Sequence, residues 1–251
     1  MSDSPFSFIG AADCYIDVLT DEGVKTGLKL KGNCTEFVPK PDSDRKEQVA
    51  TGRSNYGQVL AAVTLPKPMT AKITFNQLDQ ALFAAAFFGT NSVFTQGAGT
   101  LTDADVVADL DSWVDIGKYS LSSVVVKDAA TGSTTYVLGT DYQLNTRLGK
   151  IMAITGGAIT DAEALHVSAT HAAVNGTKMK AMTKANVRLY VELDGQNYAD
   201  GRNFHTIVRS IRLNPTSDFS FIGNDFADVS FDGVLETPTG YDSPMESIWL
   251  S

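Results

Sequence analysis

Two ten-residue stretches constrain this chain more than anything else in it. Across residues 185–194, Ala185, Val187, Leu189, Val191 and Leu193 alternate with Asn186, Arg188, Tyr190, Glu192 and Asp194. Across residues 227–236, Ala227, Val229, Phe231, Gly233 and Leu235 alternate with Asp228, Ser230, Asp232, Val234 and Glu236. A period of two puts each set on its own side of an extended backbone, so both stretches read as strands with one buried face. Val59, Ala61, Val63 and Leu65 begin a third strand, and Ala71, Ile73 and Phe75 a fourth. Pro66 and Pro68 stand between those two and predict a turn or a kink at a sheet edge. Nearer the start, residues 13–19 and 25–31 flank Thr20-Asp21-Glu22-Gly23, a hairpin signal. The 251 residues are 43% apolar, enough for one large core or two modest ones.

One strong helix interrupts the strands. Asn76 is placed to cap it, and residues 77–88 include Leu78, Leu82, Phe83 and the run Ala84, Ala85, Ala86. Gly89 is placed to end it in a left-handed conformation. A shorter helix is expected from Thr102, with Asp105 completing a capping box. Beyond Asn91 the texture changes. Short strands at 124–126, 134–138, 142–144, 151–154 and 165–169 recur at a rhythm that predicts a small β-sandwich. The expected fold is therefore mainly β with one flanking α-helix. A parent domain is formed by residues 1–92 and 173–251, and an Ig-like β-sandwich, residues 93–172, is inserted into it.

Residues 39–57 hold Lys40, Asp42, Asp44, Arg45, Lys46, Glu47 and Arg53 with almost no apolar side chains, which predicts a long polar loop with a functional role. The C-terminal stretch is polar apart from Met245, Ile248, Trp249 and Leu250, a cluster that reads as a docking arm. Phe6-Ser7-Phe8-Ile9-Gly10 recurs as Phe219-Ser220-Phe221-Ile222-Gly223.

Reactive chemistry is not visible. The formal charge of −9 disfavours binding to nucleic acid phosphates. Cys14 and Cys34 are too far apart in sequence, with no histidine near them, to read as a metal motif. In a reducing compartment both read as small buried hydrophobes. His166, His171 and His205 form no cluster, and no Gly-x-Ser-x-Gly elbow or phosphate loop occurs. The expectation is a protein that is not an enzyme and takes no cofactor or metal. Residues 1–20 lack the basic and apolar regions of a signal peptide, and no stretch has the length of a membrane span. Synthesis in the cytoplasm is expected.

The order of strand pair, polar loop, strands, Ala-rich helix and returning strands resembles the tail tube (major tail) proteins of siphophages, most of all those of Mu-like siphophages of Pseudomonas. Thr134-Thr135-Tyr136-Val137-Leu138-Gly139-Thr140-Asp141-Tyr142-Gln143-Leu144, followed by Leu148-Gly149-Lys150-Ile151, resembles a module common in phage tail proteins. The resemblance implies a tail-tube-type β-sandwich or barrel and a place in the virion tail. Six subunits would form a ring, and stacked rings would conduct DNA without binding it specifically. It also implies tape measure, tail terminator and distal tail proteins as partners, and no membrane. In such a tube Arg188, Glu192, Asp194, Asp228, Asp232 and Glu236 are expected to line the channel. Lys40, Asp42, Asp44, Arg45, Lys46, Glu47 and Arg53 would reach the next ring, and the inserted domain would face outward. The alternative is another virion structural protein, a capsid decoration or adhesive module. A carbohydrate-binding sandwich is a third class, but Trp113 and Trp249 are too scattered to form its platform.

Overall fold

The computed structural model describes residues 7–30, 32–77, 79–130, 134–214 and 218–250, and the fold is mainly β with one α-helix. In chain order come β1 (Gly10–Val18), β2 (Lys29–Leu30), β3 (Cys34–Val49), β4 (Val59–Phe75), α1 (Gln80–Ala86), β5 (Thr90–Gln96), β6 (Gly99–Val107), β7 (Trp113–Asp115) and β8 (Leu121–Lys127). Then follow β9 (Tyr142–Asn145), β10 (Lys150–Ala153), β11 (Ala164–His171), β12 (Val174–Lys180), β13 (Arg188–Asn197), β14 (Asn203–Leu213), β15 (Val229–Leu235) and β16 (Met245–Leu250). The chain divides into two compact units, Met1–Asn91 with Met179–Ser251, and Ser92–Lys178.

The first unit is built on one antiparallel sheet of order β2-β1-β13-β14-β15-β4-β3, with β16 also paired to β14. The alternation sets its faces. Leu189, Val191 and Leu193 of β13 are buried with Val229, Phe231 and Leu235 of β15, while Arg188, Glu192, Ser230 and Asp232 are only partly covered. A register shift falls between Leu189 and Val191, and Tyr190 is buried as well, with the Lys25 ammonium 3.4 Å from its ring centroid. The core adds Ile16, Ile73, Phe75, Leu82, Val208 and Ile211, with the Phe75 and Phe231 rings edge to face at 6.0 Å. Gly195 is required where it stands, because a Cβ there would lie 2.2 Å from the Phe204 ring.

The helix is shorter than expected. Asp79, not Asn76, caps it, accepting a hydrogen bond from the Leu82 amide at 2.8 Å. The Asn76 side chain instead accepts from Asn33 at 2.8 Å and ties down the end of β4. Leu78 lies outside the described residues. Phe88, not Gly89, takes the left-handed conformation, with φ 50°. Gly89 is needed for close approach, since a Cβ there would meet the Lys180 carbonyl at 2.6 Å.

Three further expectations are corrected. Most of residues 39–57 is not a loop but β3, which pairs with β4 in a long hairpin whose turn holds only residues 50–58. Pro66 and Pro68 do not end a strand. They sit within the 17-residue β4, in the stretch that pairs with β3 alone, so their missing N–H groups break no second ladder. No helix starts at Thr102: β6 runs through it and pairs with β11, and the irregularity there is a bulge with Asp103 at φ 47°. The hairpin around Thr20–Gly23 does form, with the Gly23 amide donating to the Thr20 carbonyl at 2.9 Å. Its second arm, however, pairs through Lys29 and Leu30 only, and Lys31 lies outside the described residues.

In the second unit, sheets β6-β11-β8 and β7-β10-β9 enclose one core that includes Val106, Leu121, Val126, Tyr142, Ile151, Leu165 and Val167. Residues 134–138 contribute only isolated bridges. β5 and β12 pair with each other as the chain enters and leaves this unit, which carries its end to Lys178 rather than residue 172.

Candidate assembly surfaces

The face of the large sheet opposite the core is charged, and the structure brings most of the expected channel residues onto it. Glu236, just past β15, accepts from the Arg188 Nε at 2.8 Å and from the Ser210 hydroxyl at 3.1 Å. A second guanidinium, that of Arg212, lies 3.9 Å from its other oxygen. Glu192 is 3.3 Å from His205 and accepts from the Tyr190 hydroxyl. Burial and that carboxylate hold the Tyr190 phenol above its ordinary pKa. Asp232 lies opposite Lys72 in the ladder, and Lys72 also reaches Glu36 at 3.0 Å. The Lys72–Glu36 contact pushes the ammonium up and the carboxyl down from their ordinary values. Asp194 lies opposite Asp13, so two exposed carboxylates face each other across β1 and β13. Asp228 is exposed but precedes β15 rather than lying on it.

This face is therefore not the nearly uniform wall of carboxylates expected from β13 and β15 alone. Lys72 and Arg212 join Arg188 as counter-charges, and the Asp13–Asp194 end presents like charge. The missed residues had a signal. Asp13, Tyr15 and Asp17 alternate with Cys14 and Ile16, and Lys72 and Thr74 alternate with Ala71, Ile73 and Phe75. Asp17 is buried, accepting from the amides of Thr26 and Gly27 and from the Thr26 hydroxyl.

The β3–β4 hairpin collects the second expected set. Lys40, Asp42, Asp44, Arg45, Lys46 and Glu47 lie on β3, and Arg53 lies in the turn. Ion pairs join Arg45 to Glu47 at 2.6 Å, Lys46 to Asp44 at 3.2 Å and Lys67 to Asp42 at 3.8 Å, all well exposed. β15 pairs with β4 only over Thr70–Phe75. Beyond that point residues 42–49 and 59–67 form a bare two-stranded ribbon of about 25 Å. Its β4 strand is apolar and uncovered: Val59, Leu60, Val63 and Leu65 are 48%, 57%, 56% and 47% exposed.

The C-terminal cluster is not a free arm. β16 pairs along β14 from Met245 opposite Val208 to Leu250 opposite Asn203. The two strands run antiparallel there, and Trp249 meets Phe204 at 5.7 Å and Phe8 at 6.0 Å. Ile248, Trp249 and Leu250 nevertheless stay partly exposed, and β16 has no second strand partner among the described residues. The repeated pentapeptide gains a physical account here. Phe8 of the first copy joins that aromatic group, and Phe219 and Phe221 of the second pack on Phe83 and Phe87 of the helix region. Phe6 lies outside the described residues. Among the described residues no group of three or more His, Cys, Asp or Glu side chains is arranged to hold a metal, and no helix is long and apolar enough to cross a membrane.

These features define a mainly β protein of two units, with a curled antiparallel sheet, a charged outer face and an extended ribbon. The chain belongs to the family of proteins of unknown function UCP028589, whose model matches residues 7–241 and so runs through both units. No curated protein matches it.

Proposed function

We propose that this protein is the tail tube subunit of a siphophage, forming hexameric rings that stack into a channel for DNA. The observation that carries the reading is the β3–β4 ribbon. A two-stranded hairpin is at best marginally stable alone in water, and this one leaves an apolar strand uncovered on a chain that has a large core elsewhere. Such an element is accounted for when a neighbouring copy covers it, and repetition around and along a tube turns weak contacts into a strong assembly. The exposed edge of β16 offers a second place for a neighbouring strand. The charged sheet face, in a protein of net charge −9, suits a channel wall that phosphate must slide past. In this setting the tape measure, tail terminator and distal tail proteins are the partners, and virion tails the destination.

Negative-stain electron microscopy of the purified full chain, over a rising concentration series, tests the proposal. Rings or tubes with a central hole are expected. A protein that stays monomeric at the highest concentrations, with no ordered assemblies and no affinity for tails, is not a tube subunit. Binding to capsids instead would move it to the decoration class.

A further inference from the structure

Cys14 is buried in the middle of β1, and Cys34 opens β3, half-buried. The two strands are not neighbours in the sheet: β13, β14, β15 and β4 lie between them. The sheet curls so far that β1 and β3 nevertheless approach each other. Gly10, Ala11 and Ala12 on one side, and Cys34, Thr35 and Phe37 on the other, line a cleft of about 400 Å³. At the inner end of that approach Cys14 lies buried in the apolar cluster against which Cys34 packs, and the Cys34 Sγ donates to the Glu36 carbonyl at 3.4 Å. Neither thiol is used by the assembly surfaces.

We infer that Cys14 and Cys34 form a redox pair whose oxidation to a disulfide clasps β1 to β3, the two far parts of the curled sheet. Their roles differ. The contact with Cys14 holds the Cys34 thiol below its ordinary pKa, and the same contact together with burial pushes Cys14 up. Cys34, the more accessible, is the attacking thiolate. With a small-molecule disulfide such as oxidised glutathione, the Cys34 sulfur bonds to one glutathione sulfur and releases the other as a thiolate. Cys14 then loses its proton and attacks the Cys34 sulfur, and the second glutathione thiolate leaves. Two protein thiols and one oxidised glutathione become one protein disulfide and two reduced glutathiones. The clasp stays open in a reducing compartment and closes in an oxidising medium.

The test treats the native full-length chain with oxidised glutathione, blocks the remaining thiols with iodoacetamide and digests without reduction. The expected result is a peptide linking Cys14 to Cys34 within one chain, an intact mass lower by two hydrogens, and a melting temperature raised by several degrees that dithiothreitol restores. In Cys14→Ser, Cys34 should accumulate as a mixed disulfide with glutathione. In Cys34→Ser, Cys14 should stay unmodified. The inference is overturned if both thiols of the native protein remain free while the same oxidant bridges them in urea. It is equally overturned if the wild-type chain stops at a stable glutathione adduct, or if disulfides form only between chains. The wild-type comparison decides the matter even if a variant fails to fold.

Discussion

Glu236 illustrates how much a single position on the charged face contributes. Two guanidinium groups and a hydroxyl converge on it, and the Arg188 and Glu236 side chains are only 23% and 32% exposed. Removing one partner of a partly desolvated network leaves the other charge without compensation. Glu236→Ala should therefore cost about 1–3 kcal/mol in urea unfolding, whereas Arg45→Ser, at a well-exposed pair, should cost under about 0.5 kcal/mol. In the second unit, Asp141 accepts from the amides of Val137 at 2.7 Å and Ala158 at 2.9 Å, which lowers its pKa from 3.8. A depressed carboxyl contributes stability that is complete above the unfolded value and is lost as pH falls through the folded one. Acid unfolding of this unit should thus steepen below pH 3.8, and Asp141→Asn should flatten that limb while lowering stability at neutral pH. Reversing Asp228 and Asp232 to lysine probes the proposed channel wall. Rings should still form, and DNA should be retained in a manner that weakens steeply with added salt. Normal DNA ejection by phage carrying this pair of changes would remove both residues from the wall.

At the scale of elements, the ribbon gives the sharpest expectation. Val63 and Leu65 are exposed and touch no core, so Val63→Asp with Leu65→Asp should shift monomer stability by under about 0.5 kcal/mol yet abolish assembly. Sedimentation of the variant beside the wild type reads both effects, and unchanged polymerisation would take the ribbon out of the interface. Replacing Arg45, Lys46 and Arg53 with serine should weaken stacking more mildly. The ribbon also marks where sequence reasoning stopped. β13 and β15 were legible because water on one face and core on the other impose a period of two. Residues 42–49 meet water on both faces, so nothing imposes a pattern on them and they read as a loop. The helix failed for a local reason: Asn76 and Asp79 both have capping side chains, and only the tertiary bond from Asn33 decides that Asp79 does the capping. The counter-charges Lys72 and Arg212 lie on strands whose neighbours are set by pairings distant in the chain, which spacing along the sequence does not reveal.

For the whole molecule, the insertion of one unit into the other sets the expectation. Replacing Ser92–Lys178 by a short Gly-Ser linker between Asn91 and Met179 should leave a soluble protein with a β-type circular dichroism spectrum and cooperative melting. Complete unfolding of that protein would make the second unit integral to the first. The same arrangement dictates a timetable during synthesis. β1 emerges first, yet its main partner, β13, leaves the ribosome only after the entire second unit has been made. That unit contains its own strand partners and can fold in the interval, while β1 and the apolar strand of β4 wait without β13–β16. At ordinary translation rates the wait is on the order of ten seconds. Codon choice within the insert would therefore set how long a sticky half-sheet is displayed, linking decoding speed to the yield of soluble subunits.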